Sequence, residues 1–121
     1  MELKECYAAF GGNFDEVVGR LPSESLVERF LLKFPADGSF QGLCEAWQDQ
    51  DAETAFRMAH TLKGVCQNLG ITPLGEVSAA LCDLLRGGSI PPEAGEMLEK
   101  VKKEYGNTLQ AITAYRAAKA E

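Results

Sequence analysis

The residue best able to do chemistry in this sequence is His60, the only histidine in the chain. Lys63 follows three residues later and Gly64 four residues later. Side chains at these spacings are neighbours on an α-helix, so Lys63 can bring a positive charge close to an anion on the imidazole. Glycine inside a helix lowers stability by about 1 kcal/mol relative to alanine, so the presence of Gly64 requires an explanation. We interpret the reason as steric access for something bulky that must approach the ring.

A single amphipathic helix over residues 52–69 is predicted to carry these side chains, with Asp51 as its N-cap. At about 100° per residue, five residues form one apolar stripe on this helix: Ala55, Ala59, Leu62, Cys66 and Leu69. His60 lies about 120° from the centre of that stripe, so it is predicted to face solvent. A lone histidine on a helix is usually an ordinary surface or core residue, and only its neighbours suggest more here.

The run from His60 to Gly64, together with Gly70 at the end of the helix, resembles the signature of histidine-containing phosphotransfer (HPt) domains. The resemblance runs from GGNFDEVVGRL through AHTLKGVCQNLG to ALCDLLRGG and looks like the small stand-alone bacterial members. It implies that His60 accepts a phosphoryl group from a receiver-domain aspartate and passes it to another, with Lys63 stabilising the phosphate charge. The implied partners are response-regulator receiver domains or a hybrid sensor kinase. No cofactor is expected here, and Mg²⁺ is expected in the partner's acidic pocket.

A histidine that transfers phosphate must present a neutral imidazole with one nitrogen free. The other ring nitrogen usually needs an acceptor that fixes the tautomer, and many HPt domains use a glutamine from the following helix. Residues 72–87 contain no glutamine, so Gln67, on nearly the same face as His60, is the first candidate to orient the ring. A water molecule is the alternative. The simpler interpretation of Gln67 and Asn68 is an ordinary polar helix face.

The size and charge of the chain favour one acidic domain over residues 1–121. Its net charge of −6 and the absence of any basic run longer than Lys102-Lys103 argue against nucleic-acid binding. No apolar run approaches the roughly 20 residues of a membrane span, and the N-terminus lacks the layout of a signal peptide. We therefore expect a cytoplasmic monomer that binds neither nucleic acid nor membrane and has no ATP-binding region of its own.

The four cysteines are Cys6, Cys44, Cys66 and Cys82, and no two of them form a C-x-x-C motif. Free, mostly buried thiols are predicted, because intracellular domains keep thiols reduced and cysteine is among the most buried residue types. No metal site is expected, since a zinc site would have to gather its cysteines from separate helices. A Cys–His hydrolase is disfavoured because Cys66 lies about 120° from His60 around the helix.

The remaining sequence predicts an all-α fold, because no segment shows sustained alternation of apolar and polar residues. Four amphipathic helices, at roughly residues 39–50, 52–69, 72–87 and 92–118, are joined by short turns. This pattern predicts an up-down-up-down four-helix bundle, with additional N-terminal helices packed on it. Ser39 is the predicted N-cap of the first bundle helix, and Thr72 with Pro73 is the predicted start of the third.

A partner of His60 would need a flat, partly apolar surface, which would include Phe56 and residues of the predicted helix between Leu26 and Phe34. Phe56 as plain core is the preferred interpretation. The main competing hypothesis for the whole chain is a non-catalytic helical adaptor, in which His60 is incidental and exposed helix faces bind a partner. That hypothesis predicts no acid-labile phosphate on His60.

Overall fold

The structure is a computed structural model that describes residues 1–121 as seven α-helices without a β-strand, which confirms the predicted all-α class. A single 3₁₀ turn, Phe34–Ala36, follows the third helix. The seven helices, in chain order, are α1 (Leu3–Phe10), α2 (Phe14–Arg20), α3 (Glu24–Lys33), α4 (Ser39–Gln48), α5 (Ala52–Leu69), α6 (Thr72–Leu85) and α7 (Ala94–Ala120).

Helices α4 to α7 form the predicted four-helix bundle. α4 packs on α5, α5 on α6, and α6 on α7. The connections between them are short, so consecutive helices run in opposite directions. Phe40 of α4 stacks on Tyr105 of α7, with 3.9 Å between ring centroids, and this contact joins the first and last helices of the bundle.

The N-terminal helices cover the end of the bundle at which α5 finishes. α1 packs against α7, and α3 contacts both α5 and α7. The Tyr7 hydroxyl donates a hydrogen bond of 2.7 Å to the Leu69 carbonyl, and the Asn13 backbone N–H donates one of 2.9 Å to the Gly70 carbonyl. On α7, the Arg116 guanidinium donates to the Leu32 carbonyl at 2.6 Å. The first two of these bonds hold the end of α5 in place, and the third joins α7 to α3.

α5 has the boundaries that the sequence predicts. Asp51 caps its first turn, where the carboxylate accepts a hydrogen bond of 3.1 Å from the Thr54 backbone N–H. Gly70 ends it in the left-handed conformation, with φ of 68°. The predicted apolar stripe is buried in full, and its members are Ala55, Ala59, Leu62, Cys66 and Leu69. The opposite face of α5, which carries His60, is turned to solvent.

Several helix ends differ from the prediction. Ser39 is the first residue of α4 rather than its N-cap, and its N–H donates to the Asp37 carboxylate at 2.9 Å. Ile71, not Thr72, is the N-cap of α6. α4 stops before Gln50 because that residue has a positive φ of 54°, which an α-helix cannot contain. α6 ends at Leu85 rather than near residue 87, and α7 covers Ala94–Ala120 rather than residues 92–118.

The four cysteines are unpaired, as predicted, and three of them are buried; the four are Cys6, Cys44, Cys66 and Cys82. None of the seven helices combines the length and the apolar composition that crossing a membrane would require. No cluster of three or more histidine, cysteine or acidic side chains is placed to bind a metal ion.

Candidate functional site

His60 lies midway along α5 with its side chain exposed, as its position on the helix predicts. The Nδ1 atom of its imidazole is 4.0 Å from the Sγ atom of Cys82, on the neighbouring helix α6. Nε2 makes no hydrogen bond within the chain. Nδ1 therefore faces the interface between α5 and α6, and Nε2 faces solvent.

Phe56 lies one turn before His60 and forms one side of the site. Its ring is nearly parallel to the imidazole, with 17° between the planes and 6.2 Å between the centroids. The side chain is half-buried and packs against the edge of the core without belonging to the fully buried cluster. Phe56 is therefore part of the surface around His60, contrary to the preferred interpretation that it is plain core.

Positive charge surrounds this surface although the chain as a whole is acidic. Lys63 is half-buried and forms none of the ion pairs of the chain. The guanidinium of Arg86 lies 5.5 Å from the centre of the Phe56 ring and also pairs with Asp83 at 3.0 Å. Arg57 is also exposed, about one turn before His60 on α5. Sequence reasoning missed Arg86, because only the packing of α6 on α5 brings it here.

The thiol of Cys82 is completely buried beneath the imidazole. Burial raises the pKa of this thiol above its usual value, and the positive charges of Lys63 and Arg86 oppose the rise only in part. The sulfur that faces His60 is therefore a neutral thiol at neutral pH. Sequence reasoning placed Cys82 among the structural cysteines and gave no sign of its contact with the ring.

Gly64 leaves open space at the position where a side chain would project. A Cβ atom at this residue would meet nothing within 4 Å outside its own stretch of helix, and its φ is not in the left-handed region. Neither close packing nor backbone conformation therefore requires glycine here. The open space lies one turn beyond His60, on the same face of α5.

Gln67 is not brought to the imidazole. It is exposed, and its side chain makes no hydrogen bond to His60, while its backbone carbonyl accepts a bond of 2.7 Å from Arg20. The two residues share a face, but seven residues of helix separate them by about 10.5 Å along the axis. The geometry gives no support to the predicted orienting role of Gln67, and Cys82 lies at the second ring nitrogen instead.

An apolar groove borders the far side of this face, between α5 and the N-terminal helices. Leu21, Phe30 and Val65 contribute to its lining, together with Arg20 and Lys33. Phe30 is 39% exposed and is one of only two large apolar side chains that are this accessible. The groove includes residues of the α3 region that the sequence associates with docking of a partner.

Comparison with protein-family models gives a match to the Hpt domain over residues 25–117, which takes in almost all of α3 and all of the bundle except the last three residues of α7. The chain belongs to the Hpt domain family. Hpt domains are phosphotransfer intermediates of phosphorelays rather than autokinases. Neither the curated proteins nor the solved structures contain a match to the chain. His60, Lys63 and Gly64 all lie inside the region that matches the Hpt model.

Proposed function

We propose that this Hpt protein is a phosphorelay intermediate, in which His60 accepts a phosphoryl group from a receiver-domain aspartate and passes it to a second receiver. The observation that carries this proposal is the free Nε2 of an exposed imidazole within the Hpt match. A nitrogen with an available lone pair, open to solvent, is what an in-line attack on an aspartyl phosphate requires.

The charges around His60 support the proposal. The ammonium of Lys63 has no carboxylate partner within the chain, so it is available to a phosphoryl group on the ring. Its role would be electrostatic, because phosphoryl transfer depends mainly on positioning and on neutralising charge. Arg57 and Arg86 extend the positive surface towards an acidic partner.

The shape of the surface supports a protein partner rather than a small molecule. His60 stands on a convex helix face, and Gly64 keeps the next turn free of a side chain. A receiver loop that carries the phosphoaspartate can approach along this turn. Mg²⁺ would be bound by the acidic pocket of the receiver, and the Hpt protein would supply only the nucleophile and the positive charge.

A two-receiver experiment tests this function. A phosphorylated first receiver is mixed with an unphosphorylated second receiver, with and without the Hpt protein, and the label on each receiver is followed over time. We expect the second receiver to gain phosphate only when the Hpt protein is present, and we expect His60→Gln to abolish this gain. A non-catalytic adaptor would bind a receiver without moving its phosphate. Equal transfer by wild type and His60→Gln would contradict the proposal.

A further inference from the structure

The contact between His60 and Cys82 is fixed by the packing of two long helices. Cys82 lies in the last turn of α6, with no exposed surface. The two helices are also closely packed at a second point, where a Cβ atom on Gly75 of α6 would be 3.2 Å from the Cβ of Cys66 on α5. Because two points along this interface are close-packed, the position of the Cys82 sulfur beside α5 is set by the packing of the two helices.

The other surroundings of the imidazole leave Cys82 as its one polar partner. Phe56 bounds the ring on the side of the preceding turn and offers only an aromatic face. Gln67 makes no bond to the ring, and Lys63 carries donors only, so it cannot accept a proton from the imidazole. A thiol can be a weak donor or a weak acceptor, and an imidazole N–H is the stronger donor of the two groups.

We propose that Cys82 is a positioning residue for His60, because its sulfur accepts a hydrogen bond from Nδ1–H and so favours the tautomer with a free Nε2. This inference rests on the proposed function for its consequence, although the tautomer itself can be measured without any partner. The hydrogen bonds of the two ring nitrogens decide which of them carries the proton in a neutral histidine, so a hydrogen bond from Nδ1–H shifts the ratio of the tautomers.

During the phosphoryl transfer the proton stays on Nδ1. Nε2 forms a bond to phosphorus while the bond from phosphorus to the aspartyl oxygen breaks, and the carboxylate leaves with the electron pair. The ring becomes a phosphoimidazolium whose proton remains on Nδ1, against the Cys82 sulfur. The positive charge that develops on the ring is stabilised when its N–H has an acceptor. The reverse transfer uses the same arrangement.

The test is nitrogen NMR of the imidazole in the protein alone, at a pH at which the ring is neutral. The chain has one histidine, so its two ring nitrogens give unambiguous signals. We expect wild type to carry the proton mainly on Nδ1. Cys82→Ala should lower the ratio of the Nδ1–H to the Nε2–H form by about twofold to fivefold, the effect of one weak hydrogen bond. Cys82→Val, which fills more of the space without an acceptor, should do the same.

Two further variants separate positioning from packing. Cys66→Ala removes another buried thiol from the same interface and should leave the tautomer ratio unchanged, because Cys66 faces away from His60. Cys82→Ser returns an acceptor of similar shape and should recover part of the ratio. The rate of phosphate acceptance should follow the Nδ1–H fraction across the variants.

The proposal is overturned if wild type carries the proton mainly on Nε2, or if Cys82→Ala and Cys82→Val leave the ratio at its wild-type value. It is also overturned if Cys66→Ala shifts the ratio as much as Cys82→Ala does. A wild-type chain that shows the expected tautomer but accepts no phosphate would instead contradict the proposed function, so the two failures are distinguishable.

Discussion

Two glycines of the α5 segment, six residues apart, occupy opposite environments. At Gly70 the backbone is left-handed and a Cβ atom would lie 2.8 Å from the Asn13 carbonyl oxygen. At Gly64 the helix is regular and a Cβ atom would meet nothing. The backbone conformation and the close contact explain why residue 70 is glycine. At residue 64 the structure gives no such reason, and glycine there only lowers the stability of the helix. This difference is the reason why we propose that Gly64 keeps the approach to His60 open.

The largest effect should come from Gly70→Ala, which would strain the left-handed backbone and push against α2. We expect the free energy of unfolding to fall by about 2 to 4 kcal/mol in chemical denaturation. Gly88→Ala is the control, because Gly88 also has a positive φ but has open space around it. Its cost should be about 1 to 2 kcal/mol, from the backbone alone. Equal losses in the two variants would mean that the contact with Asn13 contributes nothing.

Lys63→Ala should change the rate of transfer and leave the fold intact. We expect phosphate acceptance from one receiver to slow by about tenfold, because a positive charge one turn from His60 is lost from a site that solvent still screens. The measurement is a single-turnover rate. Lys103→Ala, which removes an exposed lysine from α7, should transfer at the wild-type rate. If both variants react like wild type, Lys63 is ordinary surface charge.

Substitutions at Gly64 should raise stability and lower the transfer rate. Gly64→Ala should add up to about 1 kcal/mol to the free energy of unfolding, and Gly64→Gln should recover much of the same gain. Transfer should slow as the side chain grows, by about tenfold for glutamine, because the receiver loop loses its approach.

Gly106→Ala is the matched control for this series. Gly106 also lies inside a helix with open space around it, but far along the chain on α7. It should give a similar gain in stability with no change in rate. Equal rates across the Gly64 series would remove the access interpretation, and destabilisation by alanine at Gly64 would contradict the open geometry.

The smallest effect should come from the buried side of α6, where the Ser78 hydroxyl has no hydrogen-bonding partner. Ser78→Ala should raise the free energy of unfolding by up to about 1 kcal/mol, since it removes an unpaired polar group from the interior. Thr108→Val is the opposite case, because the Thr108 hydroxyl donates to the Glu104 carbonyl at 2.8 Å. It should destabilise by about 1 kcal/mol. A loss of stability in both variants would show that Ser78 has a partner after all.

The sequence predicted what depends on local spacing. The boundaries of α5, its buried stripe and the outward position of His60 follow from helical periodicity and from the cap at Asp51, and all of them are found. The start of α4 was misplaced because Asp37, rather than Ser39, supplies the side chain that holds its first turn. The sequence does not define the first residue of a helix to within one position when several polar residues precede it.

The contacts between helices could not be predicted from the sequence. Cys82 and Arg86 reach the His60 surface only through the packing of α6 on α5, and nothing in the local pattern of α6 sets that register. Gln67 was chosen from its angle around the helix alone, which ignores the separation along the axis. Angular position predicts which face a residue shares, and it does not predict which atoms touch.

Mass spectrometry tests most directly whether the outward nitrogen of His60 is the phosphoacceptor. Wild type and His60→Gln are incubated with one phosphorylated receiver, and their intact masses are measured before and after acid treatment. Circular dichroism establishes that the variant keeps its helices, as expected for an exposed residue with little packing energy. We expect wild type to gain one phosphoryl group that acid removes and base spares, and fragmentation to place it on His60. The same gain in His60→Gln, or an acid-stable phosphate on another residue, would show that His60 is not the phosphoacceptor.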